Sequence, residues 1–159
     1  MNKTVYIIGG IIILLIVGWF LTRGPASISG VDVDNNLDGS KTYSNEEGSV
    51  TVGTTATMPS NWPADAPANF AGAAIVYSGT SNPQTGKIGS AVSYTARGSA
   101  AGVADYYKTQ LTSKGWKIEG TANIAGATVV SATKDTRTFG AYIADTGDGQ
   151  VTVTAGIEL

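Results

Sequence analysis

Cysteine and histidine are both absent from the 159 residues, charged residues make up only 14%, and aromatics only 8%. Without cysteine there are no disulfides, no thiolate metal ligands and no thiol nucleophile. Without histidine the commonest general base and the commonest transition-metal ligand are gone, which excludes Ser-His-Asp hydrolases and ordinary zinc enzymes. Positive charge is also scarce: ten Lys and Arg stand against twelve Asp and Glu. No run of basic residues forms a stripe, so the composition argues against nucleic acid as a partner. No cofactor is expected and no catalytic residue is assigned. The lack of cysteine fits either side of a membrane and does not identify a compartment.

What is present is an uninterrupted apolar run from Val5 to Leu21. At helical rise it covers roughly 26 Å, the short end of what spans a bilayer. Tyr6 near one end and Trp19 with Phe20 near the other sit where amphipathic rings favour the interfaces. Arg23-Gly24-Pro25 bounds the run, because a charge is followed by a pair that does not continue a helix. A cleaved secretory signal would need a small-residue cleavage site, and Arg23 with Pro25 makes Gly24-Pro25-Ala26 a poor one. Residues 1–23 are therefore expected to be an uncleaved N-terminal transmembrane helix in contact with the lipid bilayer through residues 5–21. Lys3 and the amino group place the N-terminus inside, so the expectation is a single-pass protein of the cytoplasmic membrane with its C-terminal domain outside.

Charge asymmetry suggests where that domain begins. Residues 24–50 carry Asp32, Asp34, Asp38, Glu46 and Glu47 against Lys41 alone, with few large apolar residues, and are expected to be an acidic flexible spacer. Residues 51–159 carry seven acids and seven bases and are expected to form one near-neutral extracytoplasmic domain. Val50-Thr51-Val52 suggests a short edge strand, and a proline-rich passage runs from Met58 to Pro67. Alternation then appears from Ala74 to Tyr77 and at Ile88, Ser90, Val92 and Tyr94. It is clearest at Phe139, Ala141 and Ile143, and at Val151, Val153, Ala155 and Ile157, with turns at Lys134-Asp135-Thr136-Arg137 and Asp145-Thr146-Gly147-Asp148-Gly149.

One helix is expected from about Ala100 to Lys114. Ser99 suits the N-cap, Val103, Tyr107 and Leu111 form a stripe, and Gly115 stops the helix. Trp116 and Ile118 then alternate with Lys117 and Glu119, which begins a strand. The expected fold class is α+β: an antiparallel sheet with one amphipathic helix packed on it, preceded by the membrane helix.

The segment Met58-Pro59-Ser60-Asn61-Trp62-Pro63-Ala64-Asp65-Ala66-Pro67, with Ala71-Gly72-Ala73, Val103, Tyr106-Tyr107, Leu111 and Gly115-Trp116, resembles a bacterial envelope domain. That family carries P-x-x-F/W-P-x-D-x-P-x-Y-P-G-A and later V-x-x-F/Y-Y-x-x-x-L-x-x-x-G-W. Asn69-Phe70 and Ala71 depart from its tyrosine and proline. The resemblance implies an extracytoplasmic, lipoprotein-like or single-span-anchored module, and it implies no reaction or ligand.

Several motifs resemble chemical sites. Asp34-Asn35-Asn36-Leu37-Asp38-Gly39 fits half a calcium loop, but Asn45 stands where the bidentate glutamate belongs. Asp145 and Asp148 are better explained by a hairpin turn. Thr85-Gly86-Lys87 lacks the spacing and hydroxyl of a phosphate loop, and Ser131-Ala132-Thr133-Lys134 fits S-x-x-K on a strand without partner motifs. Tyr106, Tyr107 and Trp116 could stack on a sugar, though core packing explains them more simply. Paired carboxylates such as Asp105 and Glu119 would be needed for glycan hydrolysis, and nothing in their spacing favours it. The expected function is thus not enzymatic: a membrane-anchored envelope module contacting an unknown envelope protein or surface polymer. The alternatives are a pilin-like surface filament subunit, and a cell-wall glycan-binding or glycan-acting domain. Gly24-Pro25, the missing prepilin motif and the absence of glutamate in the apolar run count against the pilin plan.

Overall fold

A computed structural model describes residues 32–45, 48–53, 55–81 and 88–159. The expected membrane span at 5–21 lies outside them. Among the described residues no helix is long and apolar enough to cross a membrane.

Among the described residues nine strands form one sheet: β1 (Asp32–Asn35), β2 (Lys41–Asn45), β3 (Gly48–Val52), β4 (Ala74–Ser81), β5 (Gly89–Arg97), β6 (Lys117–Ile124), β7 (Ala127–Lys134), β8 (Arg137–Gly147) and β9 (Gln150–Glu158). Their order is β1-β2-β3-β4-β5-β9-β8-β7-β6, and every neighbouring pair is antiparallel. The single helix of the described residues, α1 (Ala100–Ser113), joins β5 to β6. It carries the chain from the middle of the sheet to its far edge, and β7, β8 and β9 then meander back until β9 closes against β5. Geometry sets the helix length. Four inter-strand spacings cover roughly 19 Å, and a helix of this length rises roughly 21 Å.

The helix has the ends its sequence dictates. Ser99 Oγ accepts from the Gly102 amide at 3.1 Å, satisfying one of the orphan donors of the first turn. At the other end Gly115 takes φ +78, a left-handed conformation that glycine adopts without strain, and the Trp116 amide returns to the Leu111 carbonyl at 2.9 Å. Val103, Tyr107 and Leu111 are all buried, so the expected stripe is the face laid on the sheet.

Period two does the same for the strands. Phe139, Ala141 and Ile143 of β8 stand opposite Ile157, Ala155 and Val153 of β9, and all six are buried beneath the helix layer. Val92 and Tyr94 of β5 continue this face on the other side of β9, opposite Ala155 and Val153. Ile88, by contrast, precedes β5 and is exposed. The helix covers only part of the face. The rest is closed by the segment before β4, where Ala66 and Pro67 are buried and Met58, Trp62 and Phe70 pack on the core.

The amino-terminal strands differ from the compositional reading. Within residues 24–50, expected as spacer, the chain forms β1, β2 and the first part of β3, and a domain boundary after residue 50 would fall inside β3. Nor is β3 an edge strand, since β2 flanks it on one side and β4 on the other. Backbone pairing, rather than apolar burial, organises this part: β1 is exposed along its whole length, and threonine and serine hydroxyls bridge strands at Thr42–Thr51 (2.9 Å) and Ser49–Thr80 (3.1 Å).

Candidate functional site

The densest polar cluster of the described residues lies where the proline-rich segment meets the end of α1. Asp65 sits between Pro63 and Pro67, whose fixed φ angles stiffen the loop. Its carboxylate receives a bidentate pair from Arg137 (2.8 and 2.7 Å) and a third bond from Lys134 Nζ (2.8 Å). Its carbonyl accepts from Trp116 Nε1 at 2.6 Å. The Arg137 guanidinium lies over the Trp116 ring, 5.1 Å from the centroid. Lys134 also donates to the Lys114 carbonyl at 2.8 Å, and Lys114 Nζ donates to the carbonyls of Ala64 (3.0 Å) and Ala66 (2.8 Å). One loop is thereby tied to the helix end, to the start of β6 and to both sides of the β7–β8 turn.

Electrostatics follow from that geometry. The hydrogen bonds from Arg137, then those from Lys134, hold the Asp65 carboxyl well below the usual carboxylate range. A carboxylate so stabilised is a poor proton carrier near neutrality, so the arrangement is suited to holding chain segments together rather than to acid–base chemistry. The sign of the pH effect is fixed. A depressed folded-state pKa contributes stability above the unfolded carboxylate value of about 4 and loses it as pH falls further. Acid unfolding of Asp65→Asn should therefore show a weaker dependence on pH below about 4 than the parent. Superimposable acid curves for the two proteins would remove Asp65 from that role.

A second cluster lies deeper. The Phe70 amide donates to Tyr94 Oη at 3.2 Å, and the hydroxyls of Tyr94 and Tyr107 are 2.7 Å apart. Burial pushes the Tyr107 phenol well above its ordinary value, so it stays protonated. Tyr106 Oη donates to the carbonyls of Ala68 (3.2 Å) and Asn69 (3.1 Å), while its ring meets Phe70 edge-on at 5.3 Å. Phe70, the departure from the envelope-domain pattern, thus takes part in anchoring the loop. Asn61 adds another tie, its side-chain oxygen accepting from Ser90 Oγ.

The residues singled out by sequence are scattered. Tyr107 and Trp116 are buried under the sheet–helix layer, and Tyr106 is partly so. Asp105 pairs with Lys108 on the helix at 2.7 Å, whereas Glu119 on β6 pairs with Lys117 at 3.1 Å and accepts from Thr133 at 2.7 Å. Asp105 is engaged on its own helix, and Glu119 is engaged on β6 and across to β7. Ser131 and Lys134 are three apart on a strand and so point to opposite faces, which separates the two groups of the S-x-x-K pattern. Asp38 turns inward on its own hairpin, accepting from the Ser40 amide (2.9 Å) and hydroxyl (2.7 Å), bonds that lower its pKa. Asn36 donates to Ser40 Oγ (2.8 Å) and Thr42 Oγ1 (3.0 Å), so this half-loop is an internally bonded turn. Asp145 and Asp148 are exposed at the β8–β9 turn, with Asp148 and Gly149 both at positive φ. Thr85-Gly86-Lys87 lies outside the described residues. Among the described residues, no three His, Cys, Asp or Glu side chains stand close enough to hold a metal ion.

The residues of the Asp65 cluster are legible in the sequence, but their association is not. Lys134 and Arg137 carry only a turn signal, and Asp65 only a family pattern. They are 69 and 72 positions from Asp65, and no local spacing signals such a pair.

A family model described as START domain-like matches residues 76–156, and the chain belongs to that family. No curated protein and no solved structure matches it. The matched segment contains α1 and the strands from β5 to β8 in full, and it begins after the proline-rich loop, so it does not include Met58 to Pro67.

Proposed function

We propose that this START domain-like chain is a non-catalytic module of the bacterial cell envelope. In this reading the Val5–Leu21 run holds it in the cytoplasmic membrane, and the sheet domain stands outside for contacts with an envelope protein or surface polymer. The observation that supports it best is the use made of the chemistry-bearing side chains. Asp65, Lys134, Arg137, Trp116 and Tyr107 bind loop, helix and sheet to one another, which is the work of a rigid display domain. A sugar-stacking role for Trp116 and Tyr107 draws no support from rings that face the core.

Topology is the direct test. Protease added to intact protoplasts should digest the sheet domain and leave a membrane-embedded N-terminal fragment. Full protection of the domain, or a mature soluble protein beginning near Ser27, would overturn the placement.

A further inference from the structure

The two outer strands of the sheet are protected unequally. At one end β1 presents Asp32 and Asp34, charges of the kind that discourage another strand from pairing. At the other end β6 carries its charges, Lys117 and Glu119, only in its first three residues, and the register shift between Ile118 and Gly120 falls beside them. From Gly120 to Ile124 the strand has no charge and no proline, and all five residues are exposed. Among the described residues no strand covers its outer edge.

That segment is complementary to itself. In an antiparallel pairing about a two-fold axis at Ala122, each Ala122 stands opposite its own copy, Thr121 opposite Asn123, and Gly120 opposite Ile124. Ile124 is 40% exposed. A Cβ added at Gly120 would meet nothing within 4 Å, so space stands open where the isoleucine of the other copy would lie. Val129, the neighbour of Ala122 on β7, is half-buried and extends the small apolar strip beside the axis. Lys117 and Glu119 fall outside the matched segment, so no like charges meet across the axis.

We propose that the outer edge of β6 pairs with β6 of a second copy of this chain, joining two sheets into one across a two-fold axis. The contact is short, which makes a weak dimer that forms at micromolar rather than nanomolar concentration.

The full chain in detergent is the material for the test, with mass measured by light scattering over a concentration series. The parent should move from monomer to twice that mass. Ala122→Lys and Ala122→Glu each put like charges face to face, and each should weaken the dimer by at least about tenfold. An equimolar mixture of the two should restore it, because the charges are then opposite. A parent that stays monomeric overturns the proposal, and so does a dimer unmoved by either charge, which would place the interface elsewhere. The cysteine-free chain gives a second readout that does not depend on those variants folding. Ala122→Cys should be joined by a short bis-maleimide into a covalent dimer, while Thr112→Cys on the exposed side of α1 should not. Equal cross-linking at both positions, or none at residue 122, overturns the proposal as well.

Discussion

Phe139→Ala is expected to lower the unfolding free energy by about 3–5 kcal/mol, among the largest losses a single substitution can cause here. The ring is buried on β8 and is the meeting point of the domain's layers. Tyr107 of α1 lies against it at 5.6 Å between centroids, Trp116 before β6 meets it at 6.3 Å, and Trp62 of the proline-rich loop at 6.5 Å, the last two edge to face. Deletion removes transfer free energy, leaves a cavity and strips three rings of their common partner. Total stability for a domain is typically about 5–15 kcal/mol, so the variant should be close to unfolding. Urea titration followed by tryptophan fluorescence measures the difference, and a loss under about 1 kcal/mol would mean that the three layers do not depend on this ring.

Such a hub was visible in the sequence only as a periodicity. Phe139, Ala141 and Ile143 alternate, as do Val151, Val153, Ala155 and Ile157, and a strand half-buried against one layer needs no more than that. The helix was equally legible, because Ser99, the Val103–Tyr107–Leu111 stripe and Gly115 are local signals. The first two strands were not. Asp32-Val33-Asp34-Asn35 and Lys41-Thr42-Tyr43-Ser44-Asn45 bury little, so they lack the apolar alternation from which strands are read, and only pairing with β3 and β4 makes a sheet of them. The β6–β7 turn is hidden in the sequence for a different reason. Ala125 and Gly126 adopt φ 51 and φ 85, a geometry for which asparagine or glycine is the usual first residue, and alanine gives no hint of it. The Asp65 cluster depends on contacts across more than sixty positions, which periodicity does not encode.

Trp116→Ala separates the structural account of the aromatics from a ligand-stacking account. In the fold the indole is buried, donates Nε1–H to the Asp65 carbonyl at 2.6 Å, lies under Arg137 and packs on Phe139. Truncation removes the packing, leaves that carbonyl without its donor and frees the guanidinium, for an expected loss of about 3–5 kcal/mol and a melting temperature lower by on the order of 10 °C. Leu111→Ala, which cuts the buried end of the helix stripe, should fall in the same class at about 2–5 kcal/mol. Trp116→Phe isolates the polar part. It keeps a ring for Phe139 and Arg137 but cannot donate to Asp65, so it should cost about 1–3 kcal/mol and lie between parent and alanine variant. A stacking platform would give the opposite pattern, because an exposed ring contributes little to the fold and much to the ligand. Thermal denaturation of the three variants decides between them: a melting temperature unchanged in Trp116→Ala would detach the indole from the core and return it to the glycan-binding reading.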